Sequence, residues 1–197
     1  TGSSVPSLLA LARDIPGAQD VVIHVSTLSK LVAPGLRTGW LVAPPALLAP
    51  LTRAKQALDL HTGTLAQEIA AAWLADGRVR PVLDRLRDGY RTRRDALVEA
   101  LARRFGKRLQ FAVPDGGMFI WARFSDGRDT ARLLPFATES GVLFVPGRTF
   151  SAGTPLNDCL RLGFASLAPA QFDEAAARLV HACNWQDHGD ARFPRML

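Results

Sequence analysis

Apolar residues along this chain fall in short runs separated by polar turns, and each run has the length of one strand or a few helical turns. The run Val21-Val22-Ile23-His24-Val25 predicts a buried strand, and Ile15-Pro16-Gly17 marks the turn before it. Residues 1–20 otherwise read as loop with a short apolar patch over 5–11. Residues 38–42 predict a second strand, closed by Ala43-Pro44-Pro45. A helix over 45–57 follows, because a proline in a first helical turn has no N–H to lose. The connector Asp59-Leu60-His61-Thr62-Gly63-Thr64 is polar, and Thr64 is placed to cap a helix over 65–74. Leu83, Leu86, Tyr90, Leu97, Leu101 and Phe105 recur at helical spacing, which predicts one long amphipathic helix over 82–105, interrupted at Arg94. Beyond it the pattern predicts strands at 109–113, 118–124, 142–145 and 160–164, and helices at 130–140 and 169–183. Such alternation predicts an α/β layered unit with helices covering a sheet. From Asn184 onward the chain is polar and aperiodic, and reads as a loose tail.

Composition narrows the classes. With 197 residues, 48% hydrophobic and 21% charged, the chain can bury a core. No apolar run reaches the roughly eighteen residues of a membrane span, and Thr1-Gly2-Ser3-Ser4-Val5-Pro6 lacks the pattern of a signal peptide, so a cytoplasmic setting is expected. Cys159 and Cys183 are too few for a disulfide framework, and with no clustered histidines no metal site is expected. A net charge of +6 raises nucleic acid as a partner. The 21 arginines and three lysines are dispersed among acidic residues, however, and no stacking-aromatic or helix-turn-helix pattern accompanies them. Nucleic acid binding through this chain is therefore not expected. Trp40, Trp73 and Trp121 read as core or helix-face aromatics, and His61 as a polar loop residue.

The chemistry concentrates in Ser26-Thr27-Leu28-Ser29-Lys30-Leu31-Val32-Ala33-Pro34-Gly35-Leu36-Arg37-Thr38-Gly39-Trp40. A lysine just past a strand, with hydroxyls before it and an arginine seven residues on, combines two capacities. Hydroxyls and a guanidinium make a phosphate site, and a desolvated lysine can form a Schiff base with an aldehyde. Pyridoxal phosphate carries both groups. Arg161, in Cys159-Leu160-Arg161-Leu162-Gly163-Phe164, is a second candidate, because a charge inside an apolar strand needs a partner.

Thr27-x-Ser29-Lys30 followed by Pro34-Gly35-Leu36-Arg37-x-Gly39-Trp40 resembles the cofactor-lysine signature of class I/II aminotransferases of fold type I. Among them it is most similar to the 2-aminoadipate-type branch and to regulators that fuse a winged helix to the same fold. The resemblance runs collinearly from about residue 5 to 182. It includes Gly116-Gly117-Met118-Phe119 and Phe144-Val145-Pro146-Gly147-x-x-Phe150. It implies an α/β fold: the end of a large cofactor-binding domain with an interdomain helix over 1–95, a small domain over 96–183, and a tail over 184–197. It implies that Lys30 is the Schiff-base lysine, that Arg37, Ser29 and Thr27 hold the cofactor phosphate, and that Arg161 binds the substrate carboxylate. The family more often has serine where Thr27 stands. A homodimer that transfers an amino group between an amino acid and a 2-oxo acid is implied, with a pyridoxal-phosphate-sensing regulator domain as the alternative. The family also needs an acidic partner for the pyridinium nitrogen, a ring stacked on the cofactor and a glycine turn for the phosphate, all before the lysine. Only 29 residues precede Lys30, and Asp14 and Asp20 are their only carboxylates. The sequence is therefore expected to be the C-terminal half of such an enzyme, with little activity by itself.

Overall fold

The computed structural model describes residues 6–77 and 79–188. The chain divides into two compact units at Arg85/Leu86, inside a long helix. In the first unit a single helical turn, α1 (Leu8–Leu11), and short 3-10 turns lead into β1 (His24–Thr27). β1 pairs antiparallel with β2 (Gly39–Val42), matching His24 to Val42 and Thr27 to Gly39. Helices α2 (Pro45–Asp59) and α3 (Thr64–Ala75) follow.

The strand expected at 21–25 starts three residues later, because the N–H groups of Val21 and Val22 both turn back onto the Ala18 carbonyl. Nor is it buried: Val25 is 72% exposed, and Trp40 is exposed as well. The first residue of α3 is Thr64, with Gly63 in the capping position and no side-chain cap. His61 is exposed, with a ring nitrogen 3.0 Å from the Thr62 carbonyl.

The second unit is built on an antiparallel sheet of order β3-β4-β6-β5. Its strands are β3 (Leu109–Phe111), β4 (Phe119–Phe124), β5 (Val145–Pro146) and β6 (Cys159–Gly163). One face packs on the C-terminal part of α4 (Val79–Phe105), on α5 (Thr130–Glu139) and on α6 (Phe172–Asp187). Ile120, Ala122 and Phe124 of β4 and Leu160 and Leu162 of β6 point into this core with Leu101, Leu133 and Phe172. Strand alternation then sends Phe119, Trp121 and Arg123 to the other face, where Trp121 is 40% exposed rather than in the core. Arg94 does not interrupt α4. Its guanidinium donates to the Pro114 carbonyl at 2.9 Å and pairs with Asp95, tying the turn before β4 to the helix. Polarity did not end α6 at 183 either, since it runs through Asn184 to Asp187; the rest of the expected tail, 189–197, lies outside the described residues.

Polar groups lock the edges of the core. Asp129 caps α5, accepting from the Ala131 and Arg132 N–H groups. The largely buried Arg128 bridges Asp126 and Asp187, and its hydrogen bond to Asp126 holds that carboxyl below the usual range. A carboxyl held down in this way adds stability above its unfolded pKa, about 3.9, and the contribution fades as the pH falls. Both cysteines are free and buried, and burial pushes the Cys183 thiol up to about 11. Thr130 is fully buried, its hydroxyl 2.7 Å from the Cys159 carbonyl and 2.9 Å from that of Asn157. Thr130→Val leaves the buried Cys159 carbonyl without that donor, while the Asn157 carbonyl keeps the Thr130 N–H, and should cost about 1–3 kcal/mol in urea unfolding, whereas Thr130→Ser should cost less than half as much. Equal losses in the two variants would show that packing, not the hydroxyl, sets the effect.

Candidate active site

The first cluster is the loop between β1 and β2. Its ends are closed by a hydrogen bond from the Leu28 N–H to the Thr38 carbonyl at 2.9 Å. At the same neck Gly39 lies so close to β1 that a Cβ on it would meet the Ser26 carbonyl oxygen at 2.7 Å, so glycine is required there. Thr27 caps a 3-10 turn over Leu28–Lys30, its Oγ1 accepting from the Ser29 N–H at 3.1 Å. That oxygen also lies 2.9 Å from Ser29 Oγ and 3.2 Å from the Thr38 carbonyl. Its single proton serves one of them at a time. When Thr27 donates to Ser29, the Ser29 proton stays free for another acceptor.

Lys30 ends this turn and is exposed. The desolvated setting expected for it is absent among the described residues, because the strand that leads to it is itself exposed. A second 3-10 turn, Pro34–Leu36, brings in Arg37, which adopts the left-handed conformation at φ 49° and ψ 34°. Its Nη1 donates only a long hydrogen bond, 3.4 Å, to the Pro34 carbonyl. No carboxylate lies within ion-pair distance of Lys30 or Arg37 among the described residues. An ammonium, a guanidinium and two hydroxyls on one closed loop without an acid match the needs of a phosphate-bearing aldehyde.

The second cluster, on the second unit, is the open face of the sheet around Arg161. In register Arg161 lies between Trp121 of β4 and Val145 of β5. It is half-buried rather than buried, and its Nε is enclosed with no hydrogen-bond partner. The guanidinium carbon sits 4.0 Å from the centre of the Phe119 ring and 4.8 Å from that of Phe150. Beside it an open depression of about 600 Å³ is lined by Phe111, Pro114, Phe119, Trp121 and Arg123, among others. The sequence identified Arg161, and offered Phe119 and Phe150 only as members of two motifs; it gave no sign that these rings meet Arg161, since Phe119 lies on β4 and Phe150 in the turn after β5.

A lysine loop of this composition, followed by a four-stranded antiparallel sheet backed by helices, defines the C-terminal architecture of a pyridoxal-phosphate-type transferase. The family model for aminotransferase class I and II matches residues 2–179, and the chain belongs to that family. It is 38% identical over 180 residues to 2-aminoadipate transaminase of Thermus thermophilus, covering 90% of this chain and 44% of that protein. To aromatic-amino-acid aminotransferase 1 of Thermococcus litoralis it is 36% identical over 159 residues, covering 81% of this chain and 38% of the relative. Among solved structures, alpha-aminoadipate aminotransferase from Thermus thermophilus, complexed with N-(5'-phosphopyridoxyl)-L-leucine, superposes with a TM-score of 0.86 at 35% identity. That match covers 95% of this chain and 48% of the other. The chain thus spans less than half the length of these relatives.

The left-handed Arg37 carries a testable strain. Backbone at positive φ costs a residue with a Cβ about 1 kcal/mol relative to glycine. Arg37→Gly should therefore be more stable than Arg37→Ala by about that amount in thermal unfolding. Equal stabilities would mean that the loop relaxes out of this conformation.

Proposed function

We propose that this chain forms the cofactor-lysine and small-domain part of an aminotransferase that uses pyridoxal phosphate to move an amino group between an amino acid and a 2-oxo acid. The observation that carries the proposal is the acid-free donor set of Thr27, Ser29, Lys30 and Arg37 on one closed loop, within a chain that belongs to the aminotransferase family. When bound, pyridoxal phosphate supplies an aldehyde for a lysine and a ring that withdraws electrons from the substrate α-carbon. The chain's own residues do the rest. Arg37 offers its planar fork to the phosphate, and Ser29 donates the proton that the Thr27 contact leaves free. Thr27 itself chiefly holds the turn that presents Lys30. Lys30 Nζ, as the neutral amine, takes the proton from the α-carbon of the amino acid and gives a proton back at the α-carbon of the 2-oxo acid as that becomes the new amino acid. Arg161 holds the substrate carboxylate, its uncompensated charge fitting an acidic ligand.

The large-domain and small-domain assignment, with its boundary near residue 95, belongs to the same proposal. So does a homodimer, supported by the exposed apolar residues Trp40, Leu41, Leu47, Leu48 and Leu51, a surface that suits a protein interface. A cytoplasmic setting is supported by the two free thiols, which suit a reducing compartment. No helix among the described residues is long and apolar enough to cross a membrane.

The test uses the protein expressed from its full reading frame, incubated with pyridoxal phosphate and reduced with borohydride. Peptide mapping should find the pyridoxyl label on Lys30, and Lys30→Ala should lose both label and amino transfer by at least about a thousandfold, the scale of a lost acid–base group. A label on Lys55 or Lys107, undiminished in Lys30→Ala, would overturn the assignment.

A further inference from the structure

Several arginines of the second unit meet a carboxylate. Arg123 reaches Asp158 at 3.3 Å, Arg128 meets Asp126 and Asp187, and Arg178 meets Glu174. Arg161 shares the open sheet face with Arg123, one strand away and two residues off in register, yet no described carboxylate approaches it. Aromatic rings take that place. The guanidinium carbon is 4.0 Å from the Phe119 ring centre and 4.8 Å from that of Phe150, both inside the range of cation–π attraction.

The rings reach Arg161 from opposite neighbours in the sheet. Phe119 belongs to β4, on one side of β6, and Phe150 ends the 3-10 turn that follows β5, on the other. Each is braced. Phe119 is paired in register with Gly163, where even a Cβ would make only an ordinary contact with its ring, at 3.7 Å. Phe150 meets Trp121 edge to face, with centroids 5.4 Å apart at 80°. Its turn starts at the buried Gly147, where a Cβ would strike the Leu156 carbonyl and come within 2.6 Å of Cys159 Cβ, so the turn is pressed against the start of β6.

We propose that Phe119 and Phe150 are positioning residues for Arg161: the two rings hold its guanidinium in place of a carboxylate, leaving its charge uncompensated and its terminal donors free for the carboxylate of a 2-oxo acid. The inference rests on the reading of Arg161 as the carboxylate anchor. Its logic is geometric. An acidic partner would occupy the donor edge of the fork and have to be displaced by every ligand, whereas a ring uses the flat face and competes for no N–H. Among the described residues neither the enclosed Nε nor the terminal nitrogens of Arg161 have a hydrogen-bond partner, so the donor edge is left to receive the ligand. A guanidinium already fixed by its rings also loses less freedom on binding than a loose side chain.

The experiment uses the protein from its full reading frame and measures dissociation constants by calorimetry for a small 2-oxo acid, pyruvate, and a bulky one, 2-oxo-4-phenylbutanoate. Phe150→Leu and Phe119→Leu keep apolar bulk but remove the ring, Phe150→Tyr keeps the ring, and Arg161→Gln removes the charge. Each Leu variant should weaken both ligands by the same factor, roughly tenfold, as expected for a lost cation–π hold. Phe150→Tyr should restore binding to within about twofold on the same scale. Unchanged affinities in both Leu variants, beside a clear loss in Arg161→Gln, would overturn the positioning role and leave the anchor standing. A loss confined to the bulky ligand would also overturn it, since the rings would then be touching the ligand's side chain. Unchanged binding in Arg161→Gln would remove the anchor itself, and the inference with it.

Discussion

The two-residue alternation of β4 and β6 over a single core is the constraint on which the second unit depends. Once Ile120, Ala122, Leu160 and Leu162 are committed to the helices, Phe119, Trp121, Arg123 and Arg161 have nowhere to go but the opposite face. A shift of one residue in the pairing would bury an arginine and expose the core, so register and site are fixed by the same apolar contacts. Thr130 and Asp129 then anchor α5 at the end of the sheet, and Arg94 anchors the turn that starts β4. The site face is thus held from behind by packing and from its ends by hydrogen bonds.

The lysine loop is organised differently. Its short strands bury almost nothing, and it relies on backbone closure: the Leu28–Thr38 hydrogen bond, the close approach at Gly39, and the left-handed turn at Arg37. Its side chains hold the loop as well as offer chemistry. Thr27 is the clearest case, since its hydroxyl both caps the turn and decides whether Ser29 has a proton to give. Strain at Arg37 and glycine at Gly39 are local costs of a kind that clusters at functional positions.

Much of this was legible in the sequence. The long helix and the strand–helix alternation after it followed from apolar spacing, and Lys30, Arg37 and Arg161 stood out because charges beside apolar strands need a reason. What spacing could not show was which face each element would cover. Val21 to Val25 looked like a buried strand because five residues in a row are mostly apolar, but the Ala18 carbonyl draws Val21 and Val22 into a turn, and Val25 stays exposed. Thr64 had the chemistry of a cap and lost the position to Gly63. Trp121 read as core because tryptophan usually is, although its neighbours Ile120 and Ala122 had already claimed the inner face. The pairing of Arg161 with two rings joins residues up to 42 positions apart in sequence, a contact that only the sheet order creates.

In the proposal for Arg161 these features make one account: a guanidinium without an acid among the described residues, on an open sheet face, held by aromatic rings so that an incoming carboxylate would find it both free and fixed. The most direct measurement is the nitrogen and proton resonances of the Arg161 guanidinium in the protein from its full reading frame, followed as a 2-oxo acid is added. The account predicts Arg161 resonances moved upfield by the Phe119 and Phe150 ring currents before the ligand arrives, and a saturable downfield shift of the terminal nitrogens' protons as the carboxylate binds. Resonances at ordinary solvent-exposed positions that do not move with ligand would contradict it.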